Sequence, residues 1–219
     1  MKRTSLENLV KSGEKIIAGP FSLASYPCAD GFAPKAPVNS CEALIFATKE
    51  CIGVKFAASG WMPKNAARHD NEKTWTTGDV MEFFIMPERR DDYYEFHATP
   101  EGRRLQLSIP HYKLLRKISF EGNICDCGLE VVTHELTDNC WVGEMSIPFT
   151  AFNVASANTK KFGKKFPKFR NSATPKFCYC VSRYYYRNTQ NIEFSSWPPL
   201  PPRGYHNPPR WATLDLGKI

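Results

Sequence analysis

A chain of 219 residues with 13% aromatic residues and 17 prolines suits one large β domain, and its short alternating runs lack the periodicity of a helical bundle. The net charge of +7 is uneven: Lys160 to Arg170 (KKFGKKFPKFR) carries six cations and no acid, and the near balance elsewhere argues against a nucleic-acid partner. No run is apolar for long enough to cross a membrane as a helix.

Ser5 to Ser12 reads as a short helix with Ser5 as N-cap and Gly13 as its stop, so residues 1–13 are expected to be a terminal appendage of a single domain. Met1-Lys2-Arg3 runs into polar TSLEN with no apolar core, so no signal peptide is visible. An extracellular or periplasmic location would require a leader already removed. A first strand is expected in Glu14 to Phe21, and an irregular Pro-, Ala- and Gly-rich connection then runs through Asn39. Glu42 to Ala58 reads as a hairpin turned at Lys49-Glu50. Gly60 to Lys73, with Trp61, His69 and Asp70, has no period.

The central stretch, Thr74 to Pro110, alternates most cleanly and reads as three strands. Met81, Phe83 and Ile85 are expected on the core face of the first, and Tyr94, Phe96 and Ala98 on that of the second. In the third, Leu105, Leu107 and Ile109 are expected inward and Arg104, Gln106 and Ser108 outward. That parity gathers Glu82, Glu95, His97, Arg104 and Gln106 on one polar face. Leu129 to Leu136 and Cys140 to Phe149 form a further pair, turned at Thr137-Asp138-Asn139. Lys176 to Tyr186 is strongly β-prone, a turn at Asn188 to Asn191 leads into FSSW, and Pro198 to Pro209 holds six prolines in twelve residues, as an extended loop would. Trp211 to Leu216 closes the sheet. The expected fold is therefore all-β, a single antiparallel β-sandwich. The eight cysteines (Cys28, Cys41, Cys51, Cys125, Cys127, Cys140, Cys178 and Cys180) include two C-x-C pairs and no C-x-x-C, so free thiols are expected over disulfides or a zinc knuckle.

Five signals occur in a familiar order: W-x-x-x-D-x-x-E-x-F from Trp75, YYEF-x-x-x-P-x-G from Tyr93, W-x-x-E-x-x-I-P-F from Trp141, the late Ser196-Trp197, and H-x-P-x-x-W-x-x-L-x-L from His206. Together they resemble family 9 carbohydrate-binding modules over about Cys41 to Leu216. The resemblance implies a non-catalytic, DOMON-like sandwich that clamps the end of a cellulose- or xylan-type oligo- or polysaccharide between two tryptophans, here Trp75 and Trp197. It implies structural calcium elsewhere and action beside a glycoside hydrolase. Glu82 would accept sugar hydroxyls, with Glu95, His97, Arg104 and Arg183 completing the polar edge. Glu95 and His97 depart from the polar and basic groups of characterised members, and one extra residue separates Trp75 from Asp79. Apolar C–H faces of a sugar suit flat aromatic rings, and its hydroxyls suit charged acceptors and donors.

Other readings compete at the same residues. Glu82 and Glu95 could be the carboxylate pair of a glycoside hydrolase. His97 with Met86 could hold haem in an electron-transfer sandwich. Trp61 is an alternative aromatic jaw. Calcium needs six or more oxygens, and Asp70, Asp79, Asp91 and Asp92 are the nearest acids for it. The cationic run with Phe162, Phe166 and Phe169 has the composition of a single-strand nucleic-acid binder, but more often such a run is a solvated loop.

Overall fold

The alternation of the central stretch becomes three antiparallel strands, β4 (Val80–Pro87), β5 (Tyr93–Ala98) and β6 (Arg104–Ile109), around which the rest is arranged. The computed structural model describes residues 6–25, 34–163, 175–188, 191–201 and 204–217. Cys28 and the cationic run from Lys164 to Arg170 lie outside the described residues. The other strands are β1 (Lys15–Ser22), β2 (Cys41–Ala47), β3 (Cys51–Ser59), β7 (Glu130–Thr137), β8 (Cys140–Pro148), β9 (Lys176–Asn188), β10 (Asn191–Trp197) and β11 (Ala212–Asp215), with one short helix, α1 (Ala157–Phe162).

One sheet runs β1-β2-β3-β8-β7 and the other β10-β9-β4-β5-β6. β11 pairs with the first half of β9, so it continues the edge that β10 occupies further along. All of these pairings are antiparallel. Ile45, Val54, Phe56, Trp141 and Met145 of the first sheet meet Met81, Phe83, Ile85, Tyr94, Phe96 and Val181 of the second in a buried core. The Phe56 and Trp141 rings pack edge to face at 4.7 Å, a geometry that adds to their area burial.

The outer face of the second sheet is covered, and that of the first is covered over its central strands, while Ile16 on β1 and Val132 on β7 stay exposed at its edges. On the first, Leu6 tucks against Leu44 and Phe46, so the N-terminal segment, a 3-10 turn at Leu6–Leu9, is part of the packing. Beside it Lys55, fully buried, donates to Glu144 at 2.6 Å and to Glu14 at 3.2 Å. On the second sheet, Phe84, Tyr93, Leu105, Leu107, Ile109, Cys180, Leu200, Tyr205 and Trp211 form another buried cluster.

This second cluster corrects the parity expected for β6. Leu107 pairs with Glu95 and Leu105 with His97, whereas Gln106 pairs with Phe96 and Arg104 with Ala98. Paired residues project to the same side, so the three aliphatic residues share the face of Glu95 and His97. Arg104 and Gln106 point the other way. Gln106 is buried there because β6 is the sheet's edge: its Oε1 accepts from the backbone N–H groups of Cys127 and Leu129, at 3.0 and 2.9 Å. Arg104 binds Asp70 and the Leu129 carbonyl. α1 was not legible in the sequence: it is six residues long, too short for a periodic signature. Ser156 caps it and also donates to the Ser108 carbonyl. Cys41, Cys51, Cys125, Cys127, Cys178 and Cys180 are free thiols.

Gln106→Ala leaves two buried N–H groups unpaired and is expected to lower unfolding stability by about 2 kcal/mol or more; an unchanged urea midpoint would contradict this. Glu144 supplies a pH test. Burial raises its carboxyl pKa, but hydrogen bonds from Lys11, Lys55 and His134 outweigh that and hold it at about 2. A depressed carboxyl stabilises the fold fully above its ordinary value of 4.5 and loses that contribution as pH falls toward 2. Denaturation followed over that interval should show a shallower pH slope in Glu144→Gln than in the parent.

Candidate functional site

The site begins with the turn that precedes β4. The Asn65 side chain donates to the carbonyls of Thr74 and Asp79, at 2.8 and 3.1 Å, and accepts from the Thr77 hydroxyl at 2.7 Å. At Gly78 a Cβ would lie 2.3 Å from the Lys64 carbonyl oxygen, so only glycine allows this close crossing. The Tyr186 hydroxyl donates to the Trp75 carbonyl. These contacts fix Trp75, half-buried, at the rim of the second sheet's outer face. Its ring meets Phe120 and His97 edge to face, at 5.4 and 5.8 Å.

Two covering segments leave an opening over that face. Leu115, Ile118, Phe120 and Asn123 come from one side, Tyr205 and His206 from the other, and with Trp75, Glu82, Phe84, Glu95 and Tyr184 they line a cavity of about 250 Å³. Beneath it lies a chain of polar groups. Thr74 Oγ1 and His97 Nδ1 are 2.7 Å apart, and His97 Nε2 is 2.7 Å from Glu95 Oε1 and 3.4 Å from Glu82 Oε1. The Ser182 hydroxyl donates to Glu82 Oε2 at 2.6 Å. The Tyr93 hydroxyl is 2.7 Å from His206 Nδ1. Glu95 Oε2 and the Tyr205 hydroxyl are buried without hydrogen-bond partners. The register places Glu82 opposite His97 on β5 and opposite Ser182 on β9, so three strands contribute to one spot. Burial pushes the carboxyls of Glu82 and Glu95 up and both imidazoles down. Such a group of side chains resists holding charge by itself.

Of the seven residues expected at the site, Trp75, Glu82, Glu95 and His97 come together and three do not. Trp197 pairs with Val181, which pairs with the core residue Phe83, so its side chain points between the sheets. It stacks on Phe21 at 5.3 Å and packs against the main core. A clamp between Trp75 and Trp197 is therefore not formed, because the two lie on opposite sides of the sheet. Arg183 pairs with Met81 and likewise faces inward, where it binds Asp79 through two hydrogen bonds of 3.1 and 2.8 Å. Arg104 fails for the parity reason given above. Trp61, 64% exposed, is absent from the cavity lining.

The other readings meet obstacles. Both carboxylates approach the same imidazole nitrogen, so they do not flank a position for a glycosidic bond. Met86 lines a separate pocket with Tyr112, Cys178 and Trp211, away from His97. Of the four acids nearest to a calcium role, Asp70, Asp79 and Asp92 are ion-paired with Arg104, Arg183 and Arg90.

Asn65, Phe120, Tyr205 and His206 were not assigned to the site from sequence. His206 stands in a recognisable H-x-P string, but nothing in that string shows which sheet face it covers.

No family model matches the chain, and neither does any curated protein. Solved structures do. A candidate carbohydrate-binding protein from Bacteroides uniformis ATCC 8492 superposes with a TM-score of 0.58 at 18% identity, covering 89% of this chain and 84% of that one. A family 9 carbohydrate-binding module from Caldicellulosiruptor kristjanssonii, in complex with cellotriose, gives a TM-score of 0.50 at 9% identity, covering 83% of this chain and 77% of that one. At these identities the likeness is one of fold: the chain folds as a β-sandwich of the kind seen in family 9 carbohydrate-binding modules.

Proposed function

We propose that the protein is a non-catalytic carbohydrate-binding domain that takes one sugar ring, as a monosaccharide or the end of a cellulose- or xylan-type chain, in the cavity beside Trp75. The observation that carries this reading is an open cavity lined by a half-buried tryptophan and by Tyr205 and Glu95, each of which has a buried oxygen, Oη and Oε2, with no hydrogen-bond partner. An indole face suits the C–H face of a sugar, and unpartnered buried hydroxyl and carboxylate oxygens gain most from a ligand's hydroxyls. A volume of about 250 Å³ falls just below the range of pockets for drug-sized ligands, which favours a single ring over a long internal stretch of polymer. Tyr184, Tyr205 and Phe120 replace the second tryptophan as apolar walls. The shared fold supports the same reading.

Calorimetric titration with glucose, xylose, cello-oligosaccharides and xylo-oligosaccharides tests it. Trp75→Ala should weaken binding at least tenfold with the unfolding midpoint nearly unchanged. Trp197→Ala should instead lower stability by about 2 kcal/mol and leave affinity within about twofold. No heat with any sugar, or affinity lost only in Trp197→Ala, would overturn the assignment.

A further inference from the structure

Glu82, Glu95 and His97 direct one ligand atom each toward a common point, with these atoms all within 4.8 Å of one another. His206 lies beside this group of three, its Nε2 3.8 Å from the other Glu95 oxygen, Oε2. Four donors at about 2.0–2.1 Å from a tetrahedral ion stand roughly 3.3 Å apart. The separations from His97 Nε2, 2.7 Å to Glu95 Oε1 and 3.4 Å to Glu82 Oε1, bracket that value, so small side-chain rotations would open these three around an ion and a turn of the neighbouring His206 ring would bring the fourth donor.

Three features favour a metal over a self-contained hydrogen-bond network. First, three of the four ligands are held from behind: His97 Nδ1 by Thr74, His206 Nδ1 by Tyr93, and Glu82 Oε2 by Ser182. Metal-binding imidazoles and carboxylates are oriented in this way. Second, Glu95 lines the cavity, is 4% exposed, and its Oε2 is buried with no hydrogen-bond partner. Third, among the described residues the only ion-pair partners of Glu82 and Glu95 are the two histidines. Two buried carboxylates without a fixed cation are costly. A divalent ion removes that cost. Two imidazoles and two carboxylates suit zinc or a neighbouring first-row ion rather than calcium, which prefers an all-oxygen shell.

We propose that Glu82, Glu95, His97 and His206 form a binding site for a divalent first-row transition-metal ion of the zinc class at the floor of the cavity. The site stands on the geometry of these four side chains and does not depend on the carbohydrate reading. An ion held there faces the cavity, where water or a ligand hydroxyl completes its coordination.

The test uses tag-free, chelator-treated full-length protein, titrated with zinc by calorimetry and with cobalt by visible absorption, without sugar. The expected result is one ion per chain, with the intense visible bands of a four- or five-coordinate cobalt site. Glu95→Gln and His206→Gln should each weaken zinc at least tenfold with a native circular dichroism spectrum. Absence of saturable binding overturns the proposal. So does unchanged affinity in Glu95→Gln, which would move the metal to surface histidines such as His69 or His111. Should Glu95→Gln fail to fold, His206→Gln decides in the same way, since its half-buried side chain lies on a covering segment. Sugar titrations of the chelated protein are run separately, so failure of one reading leaves the other to its own result.

Discussion

Burial of both faces of the second sheet is the constraint on which the site depends. A sheet packed on one side can send every second residue into water, and its polar groups then need no partners. Here the outer face is covered by segments carrying Leu115, Phe120, Tyr205 and Trp211, so each polar side chain beneath them must find a partner or wait for one. Thr74, His97 and Glu95 satisfy one another in series, and Ser182 satisfies Glu82. Glu95 Oε2 and Tyr205 Oη are left without hydrogen bonds, and both residues line the same cavity.

The same constraint separates the two tryptophans. Trp75 is delivered by a turn held from Asn65 and Gly78, outside the alternation of any strand, and so reaches the outer face. Trp197 is the last residue of β10 and obeys that strand's parity, which directs it onto Phe21 and the main core. Binding surface on the outer face then has to come from the covering segments, as Tyr205, His206 and Phe120 show. An aromatic on one side and acids below make a recess suited to a ring entering end-on. The inward-facing arginine, Arg183, is consumed by Asp79 in a fully buried pair, where it ties the end of β4 to β9 instead of reading a ligand.

Strand positions, the antiparallel sandwich, the hairpin turned at Lys49-Glu50 and the gathering of Glu82, Glu95 and His97 are legible in the sequence, because period-two alternation and turn residues are local signals. β4 and β5 tolerated that reading since both are apolar on the core side. β6 did not: Arg104-Leu105-Gln106-Leu107-Ser108-Ile109 alternates cleanly, and alternation has two parities. With one face wet, the leucines belong inside. With both faces buried, an edge-strand glutamine can go inside because the Cys127 and Leu129 amides await it.

Local alternation dictates the fold class, most strand boundaries and three of the four residues of the acidic and imidazole cluster, since adjacent strands of one hairpin bring Glu82 opposite His97 through local pairing. Tertiary packing sets which side of the second sheet each aromatic occupies, takes Arg104 and Arg183 away from the site, and brings His206 to it from the far end of the chain. Those outcomes depend on what covers a face. Covering is a contact between segments distant in sequence, such as Tyr93 with His206, and no local period encodes it.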